Sequence, residues 1–178
     1  IGCGWGGMAS HIYKKSNANV VGVTLSEEQI AYAQERKVRE KLDKVEYRLQ
    51  DYRNVNEKYD RIVSVGMFEH VGTAHYKEFF NKVYDLLNDN GVALIHTIGR
   101  LNEPGNTDPW IDKYIFPGGY IPALSETVSR VEKSGLSLTD VQILKFHYAE
   151  TLKRWRYNFY DNIDKVKEIY DDKFCRMW

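Results

Sequence analysis

The glycine cluster at the start of the chain has the spacing of a loop that binds nucleotide-like ligands. Gly2, Gly4 and Gly7 fit the pattern G-x-G-x-x-G within the string Ile1-Gly2-Cys3-Gly4-Trp5-Gly6-Gly7. Such a loop normally follows a buried strand and opens a helix, whose unpaired N–H groups a ligand approaches across the bare glycine backbone. Because Ile1 is all that is left of the strand and no initiator Met is present, we expect a fragment that begins just before its own ligand loop.

The carboxylate that a dinucleotide enzyme uses to bind ribose is missing from the chain. It should stand about 20 residues after the glycines, at the tip of the second strand. That tip reads Gly22-Val23-Thr24-Leu25, with no acid before Glu27. The glycine pattern is shared by dehydrogenases and by methyltransferases that use S-adenosylmethionine (SAM), so this gap disfavours an NAD-dependent oxidoreductase.

Acidic and aromatic residues follow the next two expected strands. Asp51 could accept a hydrogen bond from an adenine amino group and Tyr52 could line the base, but an Asp-initiated turn explains the pair equally well. Glu69-His70 follows the fourth strand, at the edge where open α/β sheets bind ligands. Acids are also common in loops just before a helix, so both interpretations remain open.

Two histidine patterns have a structural alternative. His96 lies inside the expected fifth strand, where a lone histidine is more often a hydrogen-bonded core residue than a catalyst. His70 and His75 with Glu78 fit no common zinc spacing. We therefore predict no metal site.

Apolar runs alternate with helical patterns, which predicts an α/β fold: a mostly parallel sheet with helices on both faces. After a first strand that ends at Ile1, strands are expected at Asn19–Val23, Val45–Leu49, Arg61–Val65, Val92–Ile98 and Leu138–Phe146. Helices are expected at Gly7–Lys15, Ser26–Leu42, Tyr76–Leu87, Ser125–Ser134 and from Tyr148 onward. Ser26-Glu27-Glu28-Gln29 reads as a capping box, Asn88–Gly91 as a turn, and Gly99–Pro122, with all four prolines, as a long loop.

Composition excludes several classes of protein. Lys+Arg and Asp+Glu both total 25, which argues against nucleic-acid binding. Cys3 and Cys175 make no disulfide framework and suit a reducing compartment, and no apolar run approaches a transmembrane segment. The string Lys153-Arg154-Trp155-Arg156 could meet anionic lipid headgroups, although a solvated helix face is the commoner origin of such a cluster.

Six strings in order along the chain resemble the cyclopropane-fatty-acyl-phospholipid synthases and their mycolic acid cyclopropane synthase relatives. The resemblance covers nearly the whole chain and is far more specific than the glycine loop. The strings are Ile1–Gly7, Gly22–Gln29, Asp60–Gly72, His96–Gly99, Trp110–Gly119 and His147–Leu152.

The resemblance implies a Rossmann-like class I SAM-dependent methyltransferase fold and two small ligands, SAM and bicarbonate. Members transfer a methylene group from SAM to a cis double bond of a phospholipid acyl chain. The positions implied for SAM are Ile1, Gly2, Cys3, Gly4, Trp5, Thr24, Leu25, Gln29, Asp51, Tyr52 and Val65. Those implied for bicarbonate are Glu69, His96, the backbone N–H of Ile98, and Tyr148. Trp110 and Gly118-Gly119 would belong to a lipid-facing lid.

The resemblance also implies what surrounds this chain. Residues 1–178 would form a single incomplete domain, without the upstream lid and its Cys ligand and without the final strand, and would be poorly stable and inactive alone. The protein would be cytoplasmic, at the inner face of the membrane, as a monomer or a homodimer. The alternatives are a relative that leaves a methyl branch without closing a ring, and a non-catalytic module that binds SAM or lipid.

Overall fold

The structure is a computed structural model that describes all 178 residues, and they divide into two compact units, Ile1–Leu138 and Thr139–Trp178. The first unit alternates helices with strands, which confirms the α/β class. Its main elements are α1 (Gly7–Ser16), β1 (Val20–Thr24), α2 (Glu27–Glu40), β2 (Val45–Leu49), β3 (Tyr59–Val65), α3 (Tyr76–Leu86), β4 (Leu87–His96), α4 (Pro109–Tyr114) and α5 (Leu124–Val131). Short 3-10 helices cover Tyr52–Asn54, Phe68–His70 and Thr73–His75.

The strands form two parallel pairs rather than one continuous sheet. β1 pairs with β2, and β3 pairs with β4. The first three residues lie between the pairs: the amino group of Ile1 donates to the Val63 carbonyl at 2.8 Å, and the Cys3 N–H donates to the Val23 carbonyl at 2.9 Å. This short stretch bonds like the tip of a central strand, as expected for Ile1, but it is too short to form a ladder.

Both faces of β1 are covered, because its side chains alternate between two apolar clusters. Val21 and Val23 face the cluster built around Phe68, Phe79 and Phe80, to which α3 contributes most. Val20 faces the other cluster, which holds Ala9 of α1, Ala33 of α2, and Leu42, Val45 and Tyr47. Helices therefore cover both faces of the parallel strands, as the sequence predicts.

The predicted turn at Asn88–Gly91 lies inside β4. Tyr59 pairs with Leu87 and Arg61 with Val92, so the ladder shifts register across these four residues. Asn90 adopts a left-handed φ of 61°, and the Asn88 side chain donates to Asp60 at 2.9 Å. The register shift is a β-bulge formed by the residues of the predicted turn. β4 consequently begins at Leu87, and our expectation that the strand starts at Val92 was wrong.

The expected strand Leu138–Phe146 is wrong, because residues 136–144 form neither strand nor helix. A side-chain pattern indicates where a strand could form, but a strand exists only where a neighbouring backbone forms hydrogen bonds with it. None of residues 138–143 pairs with another strand.

The long loop from Gly99 to Pro122 contains a short helix that we did not predict. Asp108 caps α4 by accepting from the N–H groups of Trp110 at 2.9 Å and Ile111 at 3.3 Å, and Pro109 occupies the first turn. The loop is closed at its base, where the Arg100 N–H donates to the Pro122 carbonyl and the Leu124 N–H donates to the Arg100 carbonyl.

The second unit is helical, as predicted from Tyr148 onward, and consists of α6 (His147–Asp161), α7 (Ile163–Ile169) and α8 (Asp172–Met177). Within it, Tyr148 and Trp155 on α6 meet edge to face with ring centroids 6.4 Å apart. No helix in either unit combines the length and the apolar character needed to cross a bilayer.

Candidate functional site

The candidate site lies where the parallel strands end at their carboxyl termini. Thr24 of β1 is opposite Leu49 of β2, and Val65 of β3 is opposite His96 of β4. Most of the predicted site residues stand at these ends or within a few positions after them. Open α/β sheets bind their ligands at this edge.

The glycine loop forms a tight turn that only glycine fits without strain. Gly2, Gly4 and Gly6 have φ values of 66°, 53° and 78°, in the left-handed region that favours glycine. A Cβ on Gly2 would meet the Met67 side chain at 2.8 Å, whereas a Cβ on Gly4 would meet nothing within 4 Å. The backbone at Gly4 therefore faces open space, as a loop that cradles a ligand must.

Two side chains beside this loop, those of Trp5 and Leu25, are exposed. The Trp5 ring meets Tyr32 of α2 edge to face at 5.6 Å. Cys3 lies behind the loop against Gly22, and burial raises the pKa of its thiol. The loop thus presents apolar surface on its open side and a protonated thiol on its closed side.

Thr24 and Gln29, predicted to act together, are in direct contact. The Thr24 hydroxyl donates to the Gln29 side-chain oxygen at 2.8 Å. Ser26 caps α2 by accepting from the Gln29 N–H at 3.2 Å, which confirms half of the predicted capping box. The other half is wrong, because the Gln29 side chain turns to Thr24 instead of reaching back to the Ser26 backbone.

Asp51 makes the Asp-initiated turn that we kept as an alternative. Its carboxylate accepts from the Arg53 N–H at 2.9 Å and from the Arg53 guanidinium, with the shortest contact at 2.6 Å. The hydrogen bonds from Arg53 hold the pKa of Asp51 below its usual value. Tyr52 packs edge to face on Phe79 at 5.6 Å, and burial raises the pKa of its hydroxyl.

Glu69 and Ile98, which are 29 positions apart in sequence, meet at the end of the β3–β4 pair. Glu69 Oε1 accepts from the Ile98 N–H at 2.7 Å, and the Glu69 carbonyl accepts from the Tyr120 N–H at 3.0 Å. Glu69 Oε2 is buried and has no hydrogen-bond partner. A buried carboxylate oxygen without a donor is costly, so this atom marks a place where a ligand that donates a hydrogen bond would be held.

His96 and Tyr148, the other two residues predicted with Glu69, lie in different units. His96 is the last residue of β4, two positions before Ile98, and its carbonyl accepts from the Gly66 N–H at 3.0 Å. Its side chain is exposed, which does not support the interpretation as a core residue. Tyr148 is on α6 in the second unit, and its role at the site stays a prediction. His75 contacts Glu78 at 3.3 Å.

Sequence reasoning missed two tyrosines that bear on this site. Tyr47 of β2 donates to the Gly6 carbonyl at 2.9 Å, and Tyr76, at the start of α3, is fully buried beside Phe68. The signal for Tyr47 was its place two positions after Val45, on the same inward face of β2. A tyrosine at a buried position needs a partner for its hydroxyl.

Comparison with known proteins gives a consistent result. The family described as mycolic acid cyclopropane synthetase matches residues 1–178. Cyclopropane-fatty-acyl-phospholipid synthase of Escherichia coli K12 is 42% identical over 100% of this chain and 46% of its own length. A probable fatty acid methyltransferase of Pseudomonas putida is 36% identical over 100% of this chain and 47% of its own length. The chain thus spans about half the length of these curated relatives.

A solved structure supports the same fold. The crystal structure of mycolic acid cyclopropane synthase CmaA1 complexed with SAH and CTAB superposes with a TM-score of 0.88. It is 32% identical, and the match covers 99% of this chain and 67% of that one. The likeness confirms the predicted Rossmann-like class I SAM-dependent methyltransferase fold.

Proposed function

Because this chain belongs to the mycolic acid cyclopropane synthetase family, we propose that the protein transfers a methylene group from SAM to the cis double bond of an unsaturated phospholipid acyl chain, which forms a cyclopropane fatty acid. The observation that carries the proposal is the Glu69 carboxylate, fixed by Ile98 through one oxygen and left with a buried, partnerless second oxygen. Ring closure needs a base site at this edge of the sheet, and Glu69 supports one.

The glycine loop and the ends of β1 and β2 would hold SAM. The open space beside Gly4 fits a ligand that lies against the backbone, and the Thr24–Gln29 pair offers a hydroxyl and an amide close by. Asp51 and Tyr52 would face the adenine, which requires Asp51 to share its oxygens between the ligand and Arg53.

Glu69 and His96 would hold bicarbonate. The Ile98 N–H, predicted to donate to the anion, donates to Glu69 Oε1 instead and so positions this carboxylate. When bound, SAM offers an electrophilic methyl group and bicarbonate offers a base. Glu69 Oε2 would accept the hydrogen bond of the anion's own hydroxyl, while His96 would donate to the anion. Holding the anion through Glu69 fixes which of its oxygens is free to take a proton from the lipid.

The proposed chemistry would require a site that excludes water. An alkene is a poor nucleophile, so attack requires close alignment and the exclusion of water. An aromatic face could stabilise the carbocation that results on the acyl chain, and the cation must lose a proton before water adds to it.

The acceptor would be reached at a membrane surface, and nucleic acid would play no part. We place the protein at the cytoplasmic face of the membrane, where unsaturated phospholipids present their acyl chains. The cluster Lys153-Arg154-Trp155-Arg156 is exposed on α6 and would favour anionic headgroups. The equal numbers of basic and acidic residues in the chain fit the absence of a nucleic-acid partner.

The alternative is a relative that leaves a methyl branch. The Pseudomonas putida relative supports this alternative, because its name describes a probable fatty acid methyltransferase. The presence of Glu69, His96 and Tyr148 favours ring closure, since deprotonation of the cation requires the base site.

The test is to incubate the intact protein with SAM and vesicles of unsaturated phospholipid and to follow lipid mass and double bonds. A gain of one methylene with loss of the alkene supports the synthase. A gain of one methylene with the alkene retained or shifted supports the methyl-branching relative. Absence of SAM turnover on any lipid would overturn both.

A further inference from the structure

Two buried polar atoms close to the candidate site lack hydrogen-bond partners: Glu69 Oε2 and the Tyr76 hydroxyl oxygen. Tyr76 is only 1% exposed, and its ring stacks on Phe68 with centroids 4.3 Å apart. Phe68 directly precedes Glu69, so the same local packing fixes the tyrosine ring and the backbone that carries the carboxylate.

The packing around Tyr76 explains its ring but not its hydroxyl. Tyr76 stacks on Phe68 within the cluster that also holds Phe79 and Phe80, and a phenylalanine in place of Tyr76 would fill the same space. A buried hydroxyl without a partner is costly, so a phenylalanine would suit an apolar core better. The hydroxyl therefore points to a partner that the packing does not supply.

The neighbouring charges indicate which partner that is. Burial raises the pKa of the Tyr76 hydroxyl, and Glu126, Tyr120 and Glu69 raise it further, so the hydroxyl keeps its proton and remains a donor. Glu126 already accepts from the Tyr120 hydroxyl at 3.0 and 3.1 Å and from the Ala123 N–H at 2.9 Å. Of the two carboxylates, Glu69 is the one that keeps a buried oxygen, Oε2, without a donor.

We propose that Tyr76 is a positioning residue for Glu69, and that its hydroxyl donates to Glu69 Oε2 through one bridging oxygen atom. The two side chains do not bond directly, so a water molecule or the hydroxyl of the bound ligand completes the link. Ile98 then fixes one carboxylate oxygen and Tyr76 restrains the other. The proposal rests on the role given to Glu69 under the proposed function.

A double-mutant cycle in the intact protein tests the link: Tyr76→Phe, Glu69→Gln and the two together. We expect Tyr76→Phe to lower kcat about tenfold, the usual worth of a hydrogen bond to a charged group. The KM for lipid and the Kd for SAM should stay the same. In the Glu69→Gln background, Tyr76→Phe should cause no further loss of kcat.

Tyr59→Phe is the matched control, because the Tyr59 hydroxyl is also buried without a partner but lies at the opposite end of β3. It should leave kcat unchanged in both backgrounds. If Tyr76→Phe lowers kcat equally in both backgrounds, or acts only by lowering stability, the inference is overturned.

The proposed function can fail separately from this inference. If the unsubstituted protein transfers nothing from SAM to lipid, the same double-mutant cycle is measured by the midpoint of urea unfolding instead of by kcat. Non-additive unfolding midpoints for positions 69 and 76 would still support the link, and additive midpoints would overturn it.

Discussion

Tyr47 and Gly6 connect the core of the protein to the glycine loop. The Tyr47 hydroxyl donates to the Gly6 carbonyl at 2.9 Å from a position that is 4% exposed, and a Cβ on Gly6 would lie 2.6 Å from that same hydroxyl. The turn is therefore held in shape from beneath, by β2, before any ligand arrives.

Two substitutions in this loop should separate folding from ligand binding. Gly6→Ala should destabilise the protein by about 3 kcal/mol, because a left-handed alanine is strained and its Cβ collides with Tyr47. Gly4→Ala should cost only about 1 kcal/mol, because its Cβ points into open space. That space is where SAM would lie, so Gly4→Ala should weaken SAM binding about tenfold or more. Urea unfolding and titration calorimetry measure the two effects, and normal SAM affinity in Gly4→Ala would contradict the assignment of the loop.

The Thr24–Gln29 pair makes a prediction about SAM affinity. Thr24→Val keeps the shape of the side chain but removes the donor to Gln29, so the amide loses its fixed orientation. We expect the Kd for SAM to rise about fivefold, which corresponds to one neutral hydrogen bond. Thr139→Val, at an exposed position, is the control and should leave the Kd unchanged. An equal effect of both substitutions would mean that Thr24 has no special part in binding.

Glu69→Gln should separate cofactor binding from catalysis. The amide keeps the size of the side chain but places a donor where the base site needs an acceptor. We expect turnover to fall about 100-fold or more while the Kd for SAM stays close to normal. Glu132→Gln, which changes an exposed carboxylate after α5, should leave both quantities unchanged. Parallel loss of SAM binding and turnover would instead give Glu69 a structural role.

Glu40 makes a prediction about the pH dependence of stability. At the end of α2 its carboxylate accepts from Ser10 at 2.6 Å and Lys14 at 2.8 Å, both on α1, and contacts Arg36 at 3.2 Å. The hydrogen bonds from Lys14 and Ser10 lower its pKa from 4.5 to about 2.

A group whose pKa is lowered by folding stabilises the protein above its ordinary pKa and loses that effect as the pH falls through the folded value. Glu40→Gln should therefore lower the melting temperature at pH 7, and the difference from the unsubstituted protein should shrink as the pH falls from 4.5 towards 2. Thermal melts across this range, with Glu35→Gln as an exposed control, provide the measurement. A difference that does not depend on pH would show that the charge of Glu40 is not involved.

The regular elements could be predicted because their signals are local. The β-branched run near Val20 and the Ser26 cap gave β1 and the start of α2 to within one or two residues. The strand at Leu138–Phe146 could not be judged in this way, because its existence depends on a partner strand that no local pattern reports. α4 was missed for another reason: Asp108-Pro109 is a strong helix start, but prolines and aromatic residues on both sides conceal it.

The site divides in a similar way. Thr24 and Gln29 are near in sequence, so their contact follows from the capped helix start, while the meeting of Glu69 with Ile98 depends on the pairing of β3 with β4. The Tyr76 hydroxyl carried no sequence signal, because tyrosine and phenylalanine fit a helical apolar pattern equally well. Only the packing around it shows that its oxygen lacks a partner.

The closed base of the loop between Arg100 and Pro122 affects how the protein can change over evolutionary time. Backbone bonds from Arg100 to Pro122 and from Leu124 to Arg100 fasten both ends, and the Arg100 side chain adds a bond to the Ile121 carbonyl at 3.1 Å. Lengthening a loop whose ends are already tied costs little entropy. Insertions before Tyr120, whose N–H donates to the Glu69 carbonyl, would therefore leave the strands and the glycine turn undisturbed, so acceptor preference could diversify here without loss of the fold.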